Sequence, residues 1–250
     1  LIPSMTLKPY GEGSDPYLEL TKGVLPAIDK AIELGIADPK RLAVLGHSYG
    51  GYSTYGLITQ THRFRAAVAM AGLTDLISNY GIFDARNRYD EVSQSNSANY
   101  FFRSFWSEGG QGRMANPPWK DMGRYLRNSP LGYVERVETP VMIIHGDLDF
   151  VSIQQPEQFF SALFRQGKRA EFVRYWGEGH VLSSPANIRD MWYRIYAWFD
   201  EFLDVSRDER GNMLFQGDQV KGRNGAPPLK PDDYAKFDQF QLSPTTRRNR

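Results

Sequence analysis

Residues 46–50 read Gly-His-Ser-Tyr-Gly and lie between a short apolar run, Arg41 to Gly46, and a helical pattern from Gly50 to Thr61. A serine flanked by glycines at a strand-to-helix junction demands one geometry. The chain turns so sharply that the serine takes a strained backbone conformation with its hydroxyl exposed. Only glycine tolerates the close backbone packing on either side. Ser48 is therefore a candidate nucleophile. The helix behind it aims N–H groups and the positive end of its dipole at developing negative charge, which makes the Tyr49 N–H the expected oxyanion donor.

The rest of the chain repeats this strand-then-helix rhythm. Residues 15–34 carry Leu18, Leu25, Ile28 and Ile32 at helical spacing, opened by Asp15-Pro16 and closed by Gly35. Ala66 to Gly72 and Pro140 to Gly146 are short apolar runs ending in glycine, each too short for a helix and suited to a buried parallel strand. A fourth strand is expected at Glu171 to Trp176. Gln154 to Arg165 has a helical pattern, and Ile188, Met191, Trp192, Ile195, Trp198, Phe199 and Phe202 form a broad apolar helical stripe. Alternation of this kind predicts an α/β architecture with a mostly parallel sheet flanked by helices. Asn79 to Asn128 breaks the rhythm, and reads equally as a cover over the site or as a plain structural excursion. From about residue 206 the chain turns polar and rich in Pro and Gly, so the expected division is a partial catalytic domain at 1–205 and a polar extension at 206–250.

Composition narrows the chemistry. The 250 residues carry 30 Lys and Arg against 29 Asp and Glu, which gives no global field to draw nucleic acid. No apolar run approaches the roughly 18 residues of a membrane span, so a soluble chain is expected. With no cysteine, thiolate nucleophiles, disulfides and Cys-ligated zinc drop out together. The four histidines are scattered, and no metal or other cofactor is expected.

A nucleophilic serine needs a base. His47 lies inside the elbow, where its side chain is expected to point away from the nucleophile's face. His62 stands in a basic loop, and His145 ends a strand, where a structural histidine bonded to backbone is the ordinary role. His180 lies in Gly177-Glu178-Gly179-His180, after the last strand and before the last helix, and alone completes the chain order Ser, acid, His. The acid should leave the strand that ends at Gly146. Asp147 and Asp149 both follow it, and spacing does not choose between them; one of the two is an Asx-type turn former.

These segments together resemble the prolyl oligopeptidase family of serine peptidases. Gly46 to Tyr52 (GHSYGGY) resembles its elbow, Ser129 to Asp149 resembles its SP…P…HG…D segment, and Gly177 to His180 (GEGH) resembles its histidine loop. The resemblance implies an α/β-hydrolase fold and selects Asp149, four positions after His145, as the third member of a Ser48, Asp149, His180 triad. It also implies that the family's first strands, a second oxyanion donor on a tyrosine and a β-propeller belong upstream of Leu1, as partners within one longer polypeptide. Phe150 and Val151 stand where many members carry an Asn or Arg that holds the substrate backbone.

The function expected is a serine-type peptidase working through an acyl-enzyme on peptide substrates. A carboxylic-ester hydrolase on the same fold and a catalytically silent scaffold are the alternatives. Leu73, Leu76 and Tyr80, just past the second strand, are the candidates for the acyl-side pocket.

Overall fold

The computed structural model describes residues 1–3, 5, 7–9, 13–82 and 102–204. Helix α1 (Pro16–Glu33) leads into strand β1 (Ala43–His47), helix α2 (Tyr49–Ile58), strand β2 (Ala66–Met70) and the short helix α3 (Leu76–Tyr80). Helices α4 (Phe102–Glu108) and α5 (Met122–Arg127) and a 3-10 turn at Pro130–Arg136 follow. Strand β3 (Val141–Gly146), helix α6 (Gln154–Arg165), strand β4 (Ala170–Tyr175) and helix α7 (Pro185–Leu203) complete the order. The four strands pair in the order β1-β2-β3-β4, all parallel. The expected extension at 206–250 lies outside the described residues, as does the middle of the 79–128 stretch.

Alternating side chains on β2 and β3 build two cores. Ala67, Ala69, Val141 and Ile143 face α1, α2 and α6 through Leu20, Val24, Ile28, Tyr55, Ile58, Phe159 and Leu163. Ala66, Val68, Met70, Met142 and Ile144 face α7 through Ile195 and Trp198. Both central strands are buried along their whole length, which is why they read as continuous apolar runs. β1 differs. It lies at the edge of the four strands, half-buried, with Leu45 40% exposed, although its apolar sequence suits a strand paired on both sides.

Close packing at the strand ends sets the site. A Cβ on Gly46 would stand 2.1 Å from the Gly50 carbonyl oxygen, and one on Gly51 would stand 2.4 Å from that of Met70. Both values lie far inside van der Waals contact, so α2 docks on β1 and β2 only through bare backbone. All four strands deliver their C-terminal ends to one side, where open parallel sheets place their sites.

The loop from β4 to α7 is tied by a buried carboxylate. Glu178 accepts from the N–H of Ser183 at 2.7 Å, the N–H of Ser184 at 3.0 Å, the Ser183 hydroxyl at 3.2 Å and Asn187 Nδ2 at 2.7 Å. The Ser183 N–H bond above all holds its pKa below the ordinary 4.5. Carboxylates stabilised in this way contribute above their unfolded pKa, and the contribution is lost as pH falls through the folded value. The chain's melting temperature should therefore drop as pH falls below 4.5. Glu178→Gln should melt lower at neutral pH and show a shallower acid decline; an unchanged acid slope, read by circular dichroism, would contradict the assignment.

Candidate active site

Ser48 occupies the turn between β1 and α2 with φ 61° and ψ −119°. A non-glycine residue there stores about 1–3 kcal/mol of strain. The turn is held by the Ser48 N–H donating to the Met70 carbonyl at 2.9 Å and by the Tyr52 N–H donating to the Ser48 carbonyl at 3.0 Å. Tyr49 is the first residue of α2, so its N–H belongs to the open first turn.

Three loops bring the sequence-selected residues together. His180 Nε2 lies 2.8 Å from Ser48 Oγ, and His180 Nδ1 lies 2.8 Å and 3.0 Å from the two oxygens of Asp149. A carboxylate only accepts, so Nδ1 carries the proton and Nε2 presents its lone pair to the serine hydroxyl. The Asp149 side chain is 0% exposed, and its Oδ1 also accepts the Val151 N–H at 2.7 Å. The ring of Phe150 packs against that of His180 with centroids 4.1 Å apart.

Asp147 does something else. Its Oδ1 accepts the Gly177 N–H at 2.7 Å, while the Leu148 N–H donates to the Glu178 carbonyl at 2.9 Å. These bonds zip the turn after β3 to the histidine loop. Gly146 is the hinge of that contact: a Cβ on it would stand 2.4 Å from the Glu178 carbonyl oxygen and 2.5 Å from that of Gly179.

His47 does not bond Ser48: its Nε2 lies 2.7 Å from the backbone carbonyl of His180, and the two rings are 4.8 Å apart. Strand direction alone hid this, because the contact comes from a loop 133 residues away. His62 is surface-exposed, 3.5 Å from Glu138.

Beside Ser48 lies a hollow lined by Tyr49, Tyr52, Leu73, Trp106, Phe150 and Val151, with Asn79, Arg103 and Gln111 in its wall. The Tyr49 hydroxyl is buried, and burial lifts its pKa to about 12, so it stays protonated. Arg103 donates to the Phe150 carbonyl. Of the three residues expected in an acyl-side pocket, only Leu73 is in the lining. Leu76 is buried in the cluster of Tyr17, Tyr52 and Tyr125 instead. Tyr80 bonds Glu108 and packs edge-on against Trp119 and Tyr125. The reason is that α3, capped by Asp75, packs Leu76 into that cluster and Tyr80 against Glu108, Trp119 and Tyr125. Arg103, Trp106 and Gln111 come from the 79–128 stretch, whose weak periodicity gives no basis for selecting them.

The family model for the prolyl oligopeptidase family matches residues 21–206. The uncharacterized peptidase YuxL of Bacillus subtilis is 35% identical over 185 residues, which is 72% of this chain and 25% of that protein. The acylamino-acid-releasing enzyme of Arabidopsis thaliana is 31% identical over 187 residues, 74% of this chain and 23% of that protein. Among solved structures, a puromycin-hydrolyzing peptidase of Mycobacterium tuberculosis superposes with a TM-score of 0.61 at 25% identity, over 74% of this chain and 25% of that one. The chain thus spans about a quarter of the length of these relatives. Its strand order, elbow and matched span place it in one family: the chain belongs to the prolyl oligopeptidase family.

Proposed function

We propose that this chain is the catalytic part of a serine peptidase that cleaves peptide bonds through an acyl-enzyme. The observation that carries the reading is the unbroken relay from Ser48 Oγ through His180 to Asp149, each link 2.8 Å long. Ser48 Oγ attacks the scissile carbonyl carbon while its proton passes to His180 Nε2, and Asp149 holds Nδ1–H and stabilises the imidazolium. The Tyr49 N–H donates to the oxyanion. His180 then gives the proton to the leaving amine, and Ser48 is left acylated. Water attacks the ester with His180 again as base, which frees the acid and restores the serine.

Among the described residues β1 has no strand partner on its outer side, and this edge with the exposed Leu45 supports a second part of the reading. A parallel strand from elsewhere in a longer polypeptide pairs with β1, because bare edges of apolar strands invite aggregation. The two relatives compared above are about three times as long as this chain, which leaves room for such strands and for a propeller upstream.

Two outcomes test the proposal. A fluorophosphonate probe should label the chain stoichiometrically, labelling should vanish in Ser48→Ala, and aminoacyl-peptide substrates should turn over faster than short-chain esters. Turnover of esters alone would favour the ester-hydrolase reading, and no labelling would favour a silent scaffold. The hollow beside Ser48 takes the acyl-side residue, and its wall of Tyr49, Tyr52, Leu73, Trp106, Phe150 and Val151 suits aromatic or aliphatic side chains. A charged group moved from water against such a wall loses its hydration, so kcat/KM for Phe or Leu there should exceed that for Lys by at least about tenfold. Equal or better cleavage after Lys would contradict this assignment of the hollow.

A further inference from the structure

One buried histidine among the described residues takes no part in the relay. His145, on β3, has a side chain that is 0% exposed. Its Nε2 lies 2.7 Å from the carbonyl oxygen of Val151, and a carbonyl only accepts, so Nε2 carries the proton. Its Nδ1 is buried without a partner, which suits a bare lone pair far better than a second N–H. The ring is therefore neutral, and burial draws its pKa below 6.5 against the opposing pull of Asp149.

The same Nε2 lies 3.5 Å from Asp149 Oδ2. Val151 is gripped at both ends of its backbone, its N–H donating to Asp149 Oδ1 at 2.7 Å and its carbonyl accepting from His145. The other titratable groups facing the ring are His180 and, from α6, Glu157. Arg174, the register partner of His145 on β4, lies 3.7 Å from that same Glu157. No other side chain among these can donate to Val151 in place of His145, because His180 is committed to Asp149 and Arg174 faces Glu157.

We propose that His145 is a positioning residue of the triad: its Nε2–H fixes the Val151 peptide, and the Val151 N–H in turn holds Asp149 in line with His180 Nδ1. The proposal rests on the peptidase reading above. Without the donor, the Val151 carbonyl loses its partner beside a buried carboxylate and the turn relaxes. Misplacement of a catalytic group by about 1 Å can cost on the order of 100-fold in rate.

The test compares His145→Leu, which removes the donor at similar volume, with His145→Gln, whose amide nitrogen reaches the place of Nε2. The readouts in the full chain are the rate of fluorophosphonate labelling, kcat and KM on an aminoacyl-peptide substrate, and the melting temperature. His145→Leu should lower kcat and the labelling rate by about 10- to 100-fold with KM nearly unchanged. His145→Gln should recover most of the loss. Should His145→Leu fail to fold, His145→Asn serves, since its shorter amide cannot reach Val151; Asn as fast as Gln would overturn the proposal. Folded Leu and Gln variants equally fast, or equally slow, would also overturn it. A wild-type chain that does not label would instead sink the peptidase reading on which it stands.

Discussion

The backbone reversal at Ser48 governs everything built around it. A residue held at φ 61° pulls the chain from strand to helix in one step, and the cost is met by contacts that bring α2 down onto β2. Gly46, Gly51 and Gly72 are the residues that permit that approach, since a Cβ at any of them would collide with backbone. Strain of about 1–3 kcal/mol persists only where surrounding structure over-determines it. The buried sheet strands and the Tyr52 and Tyr55 side chains of α2 supply that surrounding. The outcome is a hydroxyl presented at the open side of the sheet at the start of a helix.

Opposite the elbow, two loops are made into one rigid body. The turn after β3 and the loop after β4 exchange bonds through Asp147, Gly177, Leu148 and Glu178, and Glu178 ties the second loop to the start of α7. His180 is thereby fixed from below by Asp149, from the side by Phe150 and along its own backbone by His47. A charge as deeply buried as that of Asp149 is tolerable only when its oxygens are satisfied, and Val151, His180 and His145 surround them. The acid thus orients the imidazole because it is itself held.

Much of this was legible in the sequence. The elbow is local: glycine spacing and a strand-to-helix switch within a dozen residues dictate its geometry, and the apolar runs of β2 and β3 announce burial on both faces. Asp147 and Asp149 could not be separated by spacing because both accept hydrogen bonds at one turn, and only the loop lying across them decides which meets a histidine. The resemblance, not the spacing, pointed to Asp149. His47, Arg103 and Trp106 were missed because their roles come from loops distant in sequence. Leu76 and Tyr80 lie outside the lining of the hollow, on a five-residue helix too short to show a period by which its faces could be sorted.

The central claim is that Ser48, His180 and Asp149 act as one unit rather than as three separate contributors. Its most direct test is a mutant cycle on hydrolysis of a peptide substrate, with kcat measured for Ser48→Ala, His180→Ala and the double variant. If the relay is the catalytic device, each single change removes nearly all of the triad's rate advantage and the double variant is scarcely slower than either. Losses that multiply in the double variant would show that serine and histidine contribute independently, and would contradict the account.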